Sequence, residues 1–339
     1  MEGRGPRVAV LGAGSIGCFV GGAWQSAGLP VTFIGRARLS DDVARHGLTL
    51  SDYSGWEERL APGEVDYRCD AQALADADII VVAVKSGDTA QAAAEIDRHG
   101  RDGATVISLQ NGISNVETLE QGLRGRFEIA RGMVGYNVVY LGDGHFHKGV
   151  QGDVWTERRD ATEDLADRIG SGPAALKLSD DMLGLAWGKL LINMNNAVNA
   201  LSGKSLVDEL RIRDYRRVFA ASVSEGLRLL EAAEIEPAKV GPLPLDLLVL
   251  ALESPDWLFN SLFFRTWKID PKARSSMSDD LAKGRKTEVD YLNGELTRLA
   301  ERLRMDASVN RKIVMLVHDA EAGAAPLAPA ELRRAVLGR

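Results

Sequence analysis

Four groups of residues have types and spacings suited to chemistry. The first is Gly12-Ala13-Gly14-Ser15-Ile16-Gly17, which follows the apolar run Arg7–Leu11 and precedes a stretch read as helix, Ser15–Ala27. In a strand–turn–helix setting the first glycine allows the tight turn, and the second lets the backbone approach a pyrophosphate. The third lets the helix pack closely on the sheet. The helix start then offers N–H groups and the positive end of a dipole to phosphates. The second is Arg36 in Gly35-Arg36-Ala37-Arg38, just after the strand Val31–Ile34, with no carboxylate before Asp41. An acid there would hold the ribose 2′-hydroxyl of NAD, whereas an arginine suits a 2′-phosphate and stacks on adenine. Arg36 therefore points to NADP(H), its plain alternative being a solvated loop side chain.

The third group sits at two further strand ends. Lys85 closes the apolar run Asp78–Val84, and Asn111 follows the run Ala104–Leu109. Open α/β sheets collect their ligands beyond the carboxyl ends of strands. The fourth is a stripe on a predicted helix, Met182–Leu201. At about 100° per residue, Asn193 lies roughly 40° from Lys189, and Asn196 roughly 20° to the other side. An ammonium and two amides then share one face of an otherwise apolar helix, suited to a pocket or to a hydrogen-bonded interhelical contact. A later segment, Ser275 to Gly294, carries Ser276, Glu288 and Asp290. Ser276 with Asp279 fits a capping box, and the two acids fit a solvated helix face. His145 and His147 alternate along a strand without a third ligand nearby, which argues against a metal.

The elements that must position these groups fall into two halves. Strand-like and helix-like runs alternate through the first half, predicting a doubly wound parallel sheet of the Rossmann type. From Phe127 to Trp155 the pattern is β-rich, with a hairpin turn at Gly142-Asp143-Gly144. Beyond a last strand at Ala175–Leu178, helical patterns dominate: Met182–Leu201, Tyr215–Ala233, Met277–Leu303 and Ser308–Ala320. The reading is α/β followed by an all-α domain, 1–179 binding NADP and 180–339 carrying substrate and catalysis. With 339 residues, 45% hydrophobic and 26% charged, the chain can build two ordinary globular cores. A net charge of −7 without a long basic run argues against nucleic acid. Charges and Pro255 interrupt Leu243–Phe264, so it fails as a membrane span. Two cysteines, Cys18 and Cys69, fit a reducing, cytoplasmic setting, with Cys18 a small buried residue.

Taken together, GAGSIG, the lysine of VAVKS, the LQNG turn, WGK-L-x-x-N and SSM-x-x-DL-x-x-GR-x-TEVDYLNG resemble the ketopantoate reductase (2-dehydropantoate 2-reductase) family along nearly the whole chain. The resemblance implies NADPH-dependent reduction of a small 2-oxo acid, 2-dehydropantoate to pantoate, as in pantothenate biosynthesis. It implies that Gly12–Gly17 and Arg36 bind NADPH, and that Lys85 and Asn111 line its nicotinamide end. Lys189 would protonate the substrate carbonyl, Asn193 and Ser276 would contact substrate, and Glu288 would hold Lys189. The chain departs from the family pattern at Ala273, where asparagine is frequent, and at Ala197, where a second substrate asparagine would fall, with Asn196 adjacent. The family's Gly and Pro near Arg304–Asn310 are missing too. Alternatives are a β-hydroxyacid-dehydrogenase-like or imine-reducing enzyme and a non-catalytic NADP-sensing protein. The assembly stays open, a homodimer included.

Overall fold

The computed structural model describes residues 5–241, 243–266 and 273–338. The chain forms two compact units, Met1–Leu183 and Gly184–Arg339.

In the first unit the strands are β1 (Val8–Leu11), β2 (Val31–Ile34), β3 (Leu48–Asp52), β4 (Glu57–Leu60), β5 (Asp66–Arg68), β6 (Ile79–Val82), β7 (Thr105–Ser108), β8 (Glu128–Val134), β9 (Val138–Gly142), β10 (His145–Lys148), β11 (Val154–Glu157) and β12 (Leu176–Ser179). The helices are α1 (Ser15–Ser26), α2 (Ala37–His46), α3 (Thr89–His99), α4 (Asn115–Leu123) and α5 (Asp160–Ile169). The main sheet runs β12-β11-β8-β7-β6-β1-β2-β5. It is parallel except where β11 meets β8. A second sheet, β4-β3-β10-β9, contains the hairpin expected around Asp143.

Strands such as β1 and β6 are buried at every residue, as a sheet covered on both faces requires. Their side chains alternate between two cores. Val8, Val10, Phe33 and Val81 pack with Phe19 and Trp24 on one face; Ala9, Leu11, Ile80 and Val106 pack with Ile96 and Leu119 on the other. The chain leaves β1 to form β2 on one side and adds β6 on the other, so the strand order reverses at β1. The registers Leu11↔Ile34, Leu11↔Val82 and Val82↔Ser108 bring the four following loops to one edge. That is where a doubly wound sheet binds ligands.

The second unit is helical: α6 (Met182–Asn193, begun at the end of the first unit), α7 (Asn195–Ser202), α8 (Leu206–Leu210), α9 (Arg213–Ala232), α10 (Leu245–Glu253), α11 (Asp256–Thr266), α12 (Ser276–Ala282), α13 (Asn293–Leu303), α14 (Ser308–Glu321) and α15 (Pro329–Leu337). Two expectations need correction. The helix read over Met182–Leu201 is interrupted at Met194, whose N–H donates to Leu191 O (3.3 Å), a tightened turn. The helix read over Met277–Leu303 is two helices. Gly284 adopts φ 62°, and Arg285 N–H donates back to Asp280 O (2.8 Å), which closes α12 with a left-handed stop. Residues 285–288 therefore lie outside any helix.

Candidate active site

The Gly12 turn is held against its neighbours on both sides. Gly12 and Ala13 N–H both donate to Ile34 O at 2.9 Å. Gly12 has φ 92°, and a Cβ on it would come within 2.5 Å of Val84 N, so the turn and the β6 loop interlock through backbone. A Cβ on Gly17 would meet Gly12 O at 2.8 Å and Val10 Cγ1 at 2.9 Å. Gly14 is different: its nearest neighbour would be Gly12 O, 3.9 Å away. Protein packing gives no reason for glycine there, whereas a group approaching the backbone from outside does. Gly14 also stands at the N-cap of α1, with no side-chain cap and no acid in the first turn. The opening N–H groups at Ser15, Ile16 and Gly17 have no partner within the helix, and together with the dipole they suit a pyrophosphate.

Arg36 is the N-cap residue of α2, with its side chain 90% exposed, and pairs at 3.7 Å with Asp88. A pair this open contributes little and exchanges readily for a stronger anion. Reading along the chain finds no carboxylate here before Asp41, but the fold brings Asp88 over from the loop after β6. A second group that sequence reasoning missed ties that loop to the one after β7. Ser86 Oγ donates to Asn111 O (3.1 Å), as does Asn115 Nδ2. Thr89 Oγ1 lies 2.9 Å from Ser86 O and 2.7 Å from Asn115 Oδ1, and accepts from Gln110 Nε2 (2.7 Å). Ser86, Thr89, Gln110 and Asn115 are buried, while Lys85 is exposed and Asn111 half-buried. Loop serines and threonines are common, and only their burial at adjacent strand ends marks these.

In the second unit, Lys189, Asn193 and Asn196 are all half-buried, although Leu190, Leu191, Met194 and Ala197 around them are buried. The break at Met194 falls between Asn193 and Asn196. Burial pulls the Lys189 ammonium down from 10.5 to about 8, and the nearby Glu288 carboxylate pulls it back up. Glu288 is half-buried and lies just before a 3-10 turn, not on a solvated helix face; Asp290 is exposed.

Ser276 is not the capping residue. Ser275 caps α12, accepting from Ser278 N–H (3.1 Å), and leaves Ser276 exposed as the first helical residue. Ser275 also joins α12 to the stripe: its Oγ donates to Asn196 O (3.1 Å), and its N–H donates to Asn199 Oδ1 (2.9 Å). Asn199 Nδ2 donates to Glu209 Oε2 (3.0 Å), as does Asn195 Nδ2 (3.3 Å). Burial pushes the Glu209 carboxyl up from 4.5 to about 8, against the downward pull of these two amides.

His145 Nε2 and His147 Nδ1 lie 2.7 and 2.8 Å from Ser51 Oγ across the β3–β10 pairing, and no cluster of metal-ligating side chains occurs among the described residues. No described helix is long and apolar enough to cross a membrane.

The family model described as Ketopantoate reductase PanE/ApbA matches residues 8–160, and Ketopantoate reductase PanE/ApbA C terminal matches residues 181–321. The 2-dehydropantoate 2-reductase of Archaeoglobus fulgidus is 28% identical over 94% of this chain and 99% of its own. The PanE/ApbA family ketopantoate reductase structure from Ralstonia eutropha JMP134 superposes with a TM-score of 0.79 at 29% identity, covering 93% of this chain and 98% of that one. A D-mandelate dehydrogenase solved with NADH and anilino(oxo)acetate shares the fold, with TM-score 0.76, 21% identity and coverage of 93% and 98%.

Two consequences can be measured. Gly14→Ala should change unfolding free energy by no more than about 1 kcal/mol while weakening dinucleotide binding at least about tenfold. Gly12→Ala should cost more than about 2 kcal/mol of stability. Equal losses of stability in the two variants would contradict the assignment of Gly14 to a ligand. Glu209 ionises at higher pH in the folded chain than in the unfolded one, so its contribution to stability falls as pH rises from 4.5 to about 8. Glu209→Gln should therefore raise Tm by a few degrees at pH 9 and show no such gain at pH 4.5. A pH-independent difference would show that Glu209 does not titrate in this way.

Proposed function

The chain belongs to the ketopantoate reductase family, oxidoreductases acting on CH–OH groups, and on that premise we propose that it reduces 2-dehydropantoate to pantoate with NADPH. The observation that carries this reading is Lys189: a desolvated ammonium opposed by one carboxylate, on a stripe that also presents Asn193 and Asn196.

In this reading the Gly12–Gly17 turn would hold a nicotinamide dinucleotide, which would supply the hydride for reduction of the keto carbon. The chain's own residues do the rest. The N–H groups of Ser15, Ile16 and Gly17 hold the pyrophosphate, with Ala13 as part of the turn. Arg36 gives up its exposed pair with Asp88 for a 2′-phosphate. Lys85, and Asn111 whose carbonyl accepts from the buried Ser86 and Asn115, serve the nicotinamide end. As the keto carbon is reduced, negative charge grows on its oxygen; the Lys189 ammonium stabilises that charge and then donates its proton. Asn193 orients the substrate, Asn196 lies on the same face, and Ser276 takes the carboxylate. Glu288 keeps Lys189 protonated and in place. Residues 1–179 would serve the cofactor and 180–339 the substrate.

Ala197 and Ala273 remove two hydrogen-bonding groups, and sites that lose such groups lose discrimination. Ketopantoate should be turned over alongside other branched 2-oxo acids in an NADPH-oxidation screen. Turnover of imines with no 2-oxo acid accepted would overturn the substrate class.

For the cofactor, Arg36→Ala should raise KM for NADPH and leave NADH nearly unchanged. A wild type that uses the two cofactors equally would refute the role of Arg36. Lys189→Ala should lower kcat by roughly two to four orders of magnitude while NADPH affinity, read by fluorescence, persists. A variant that binds NADPH normally and turns over within about tenfold of wild type would remove Lys189 from the chemistry.

A further inference from the structure

Glu288 stands outside any helix, so something other than helical hydrogen bonds must hold it against Lys189. The residues on either side of it are both held by one helix, α14. Thr287 donates twice to the same carboxylate oxygen, from N–H and from Oγ1 to Glu321 Oε1, each at 2.7 Å. Two residues after Glu288, Asp290 Oδ1 receives His318 Nε2 at 3.0 Å, while His318 Nδ1 lies 3.2 Å from Glu321 Oε2. With both ring nitrogens donating, the imidazolium satisfies both acids at once. The clamp has a firm base. At its other end α14 is tied down by Glu225, whose carboxylate accepts Val309 N–H (3.0 Å), Asn310 N–H (2.8 Å) and Asn310 Nδ2 (2.8 Å). Asn293, just beyond the 3-10 turn, donates to Asn310 Oδ1 (2.9 Å), so the far side of the segment hangs on the same helix.

We propose that Glu321, with His318 behind it, is the positioning residue for the proton donor: by holding Thr287 and Asp290 on either side of Glu288, it fixes the Glu288 carboxylate against Lys189. Neither Glu321 nor His318 touches the reacting atoms in this scheme. Glu321 is only 15% exposed at its side chain and carries three contacts, two from Thr287 and one from the histidine on its own helix. A carboxylate needed only to satisfy the Thr287 backbone would not also need the threonine hydroxyl and an imidazolium. Glu288 is the charge that acts on Lys189, whereas Asp290, Glu321 and His318 act on each other.

The inference rests on Lys189 as proton donor, so its test reads the ionisation of Lys189 itself, without substrate. Competitive acetylation of the full chain across pH, with the Lys189 peptide quantified by mass spectrometry, gives that pKa. Wild type should titrate near 8. Glu288→Gln should lower the value, and Glu321→Gln should lower it by about 0.5 or more because Glu288 is no longer held close. In a Glu288→Gln background, adding Glu321→Gln should produce no further change. Thr287→Val, which removes one of the two hydrogen bonds and leaves every charge in place, should move the pKa in the same direction by less. The proposal is overturned if Glu321→Gln leaves the Lys189 pKa unchanged. It is also overturned if the shift is the same size with and without Glu288, which would mean a direct charge effect. Failure of every 2-oxo acid as substrate would sink the reductase reading and leave these pKa results standing.

Discussion

An ammonium group taken out of water must be kept charged if it is to give up a proton on demand. Burial alone drives Lys189 toward the neutral amine; one carboxylate, Glu288, works against it. The balance brings the ammonium down from 10.5 to about 8, closer to the range that suits the general acid of the proposed mechanism. In that mechanism, the segment that carries Glu288 answers the requirement. There Glu288 has to reach Lys189 from a separate segment: the chain is stopped at Gly284, runs outside any helix over residues 285–288, and is pinned at Thr287 and Asp290 before it resumes a helix at Asn293. A continuous helix over Met277–Leu303 would have placed Glu288 by helical period alone.

The first unit answers a different constraint. Phosphates are bound by backbone N–H groups, and these can converge only where the chain turns sharply at the end of a buried strand. The two glycines that make the turn, Gly12 and Gly17, are required by close backbone and side-chain neighbours, whereas Gly14 faces open space. That contrast separates the glycines the fold needs from the one whose backbone is left open to approach, as the proposed pyrophosphate contact requires. Beside the turn, Ser86, Thr89, Gln110 and Asn115 form a buried polar network between two strand-end loops. Satisfied polar groups of this kind rigidify a site, since leaving any one unpaired carries a desolvation cost.

The parallel sheet was legible because buried strands read as continuous apolar runs, and the glycine turn because it sits between a strand and a helix. Helical period suggests the stripe Lys189–Asn193–Asn196, but the break at Met194, which no local signal marks, divides it between two helices. The interruption at Gly284 was not read, because Glu288, Asp290 and their neighbours also suit an exposed helix face. What decides against that reading is Glu321, more than thirty residues away in sequence. The same holds for Asp88 beside Arg36 and for Glu209 under Asn199: both partners come from other elements, and local spacing carries no trace of them. The cap of α12 was assigned one residue late, since Ser275 and Ser276 are alike in type and only backbone geometry distinguishes them.

The dependence of reduction kcat on pH, compared between wild type and Glu288→Gln, tests the central claim most directly. Proton donation by Lys189 predicts a plateau at lower pH and a single loss of kcat as pH rises through about 8. It also predicts that removing the Glu288 charge moves this loss to lower pH. A wild-type kcat that stays flat to pH 10, or a loss whose position is the same in Glu288→Gln, would contradict it.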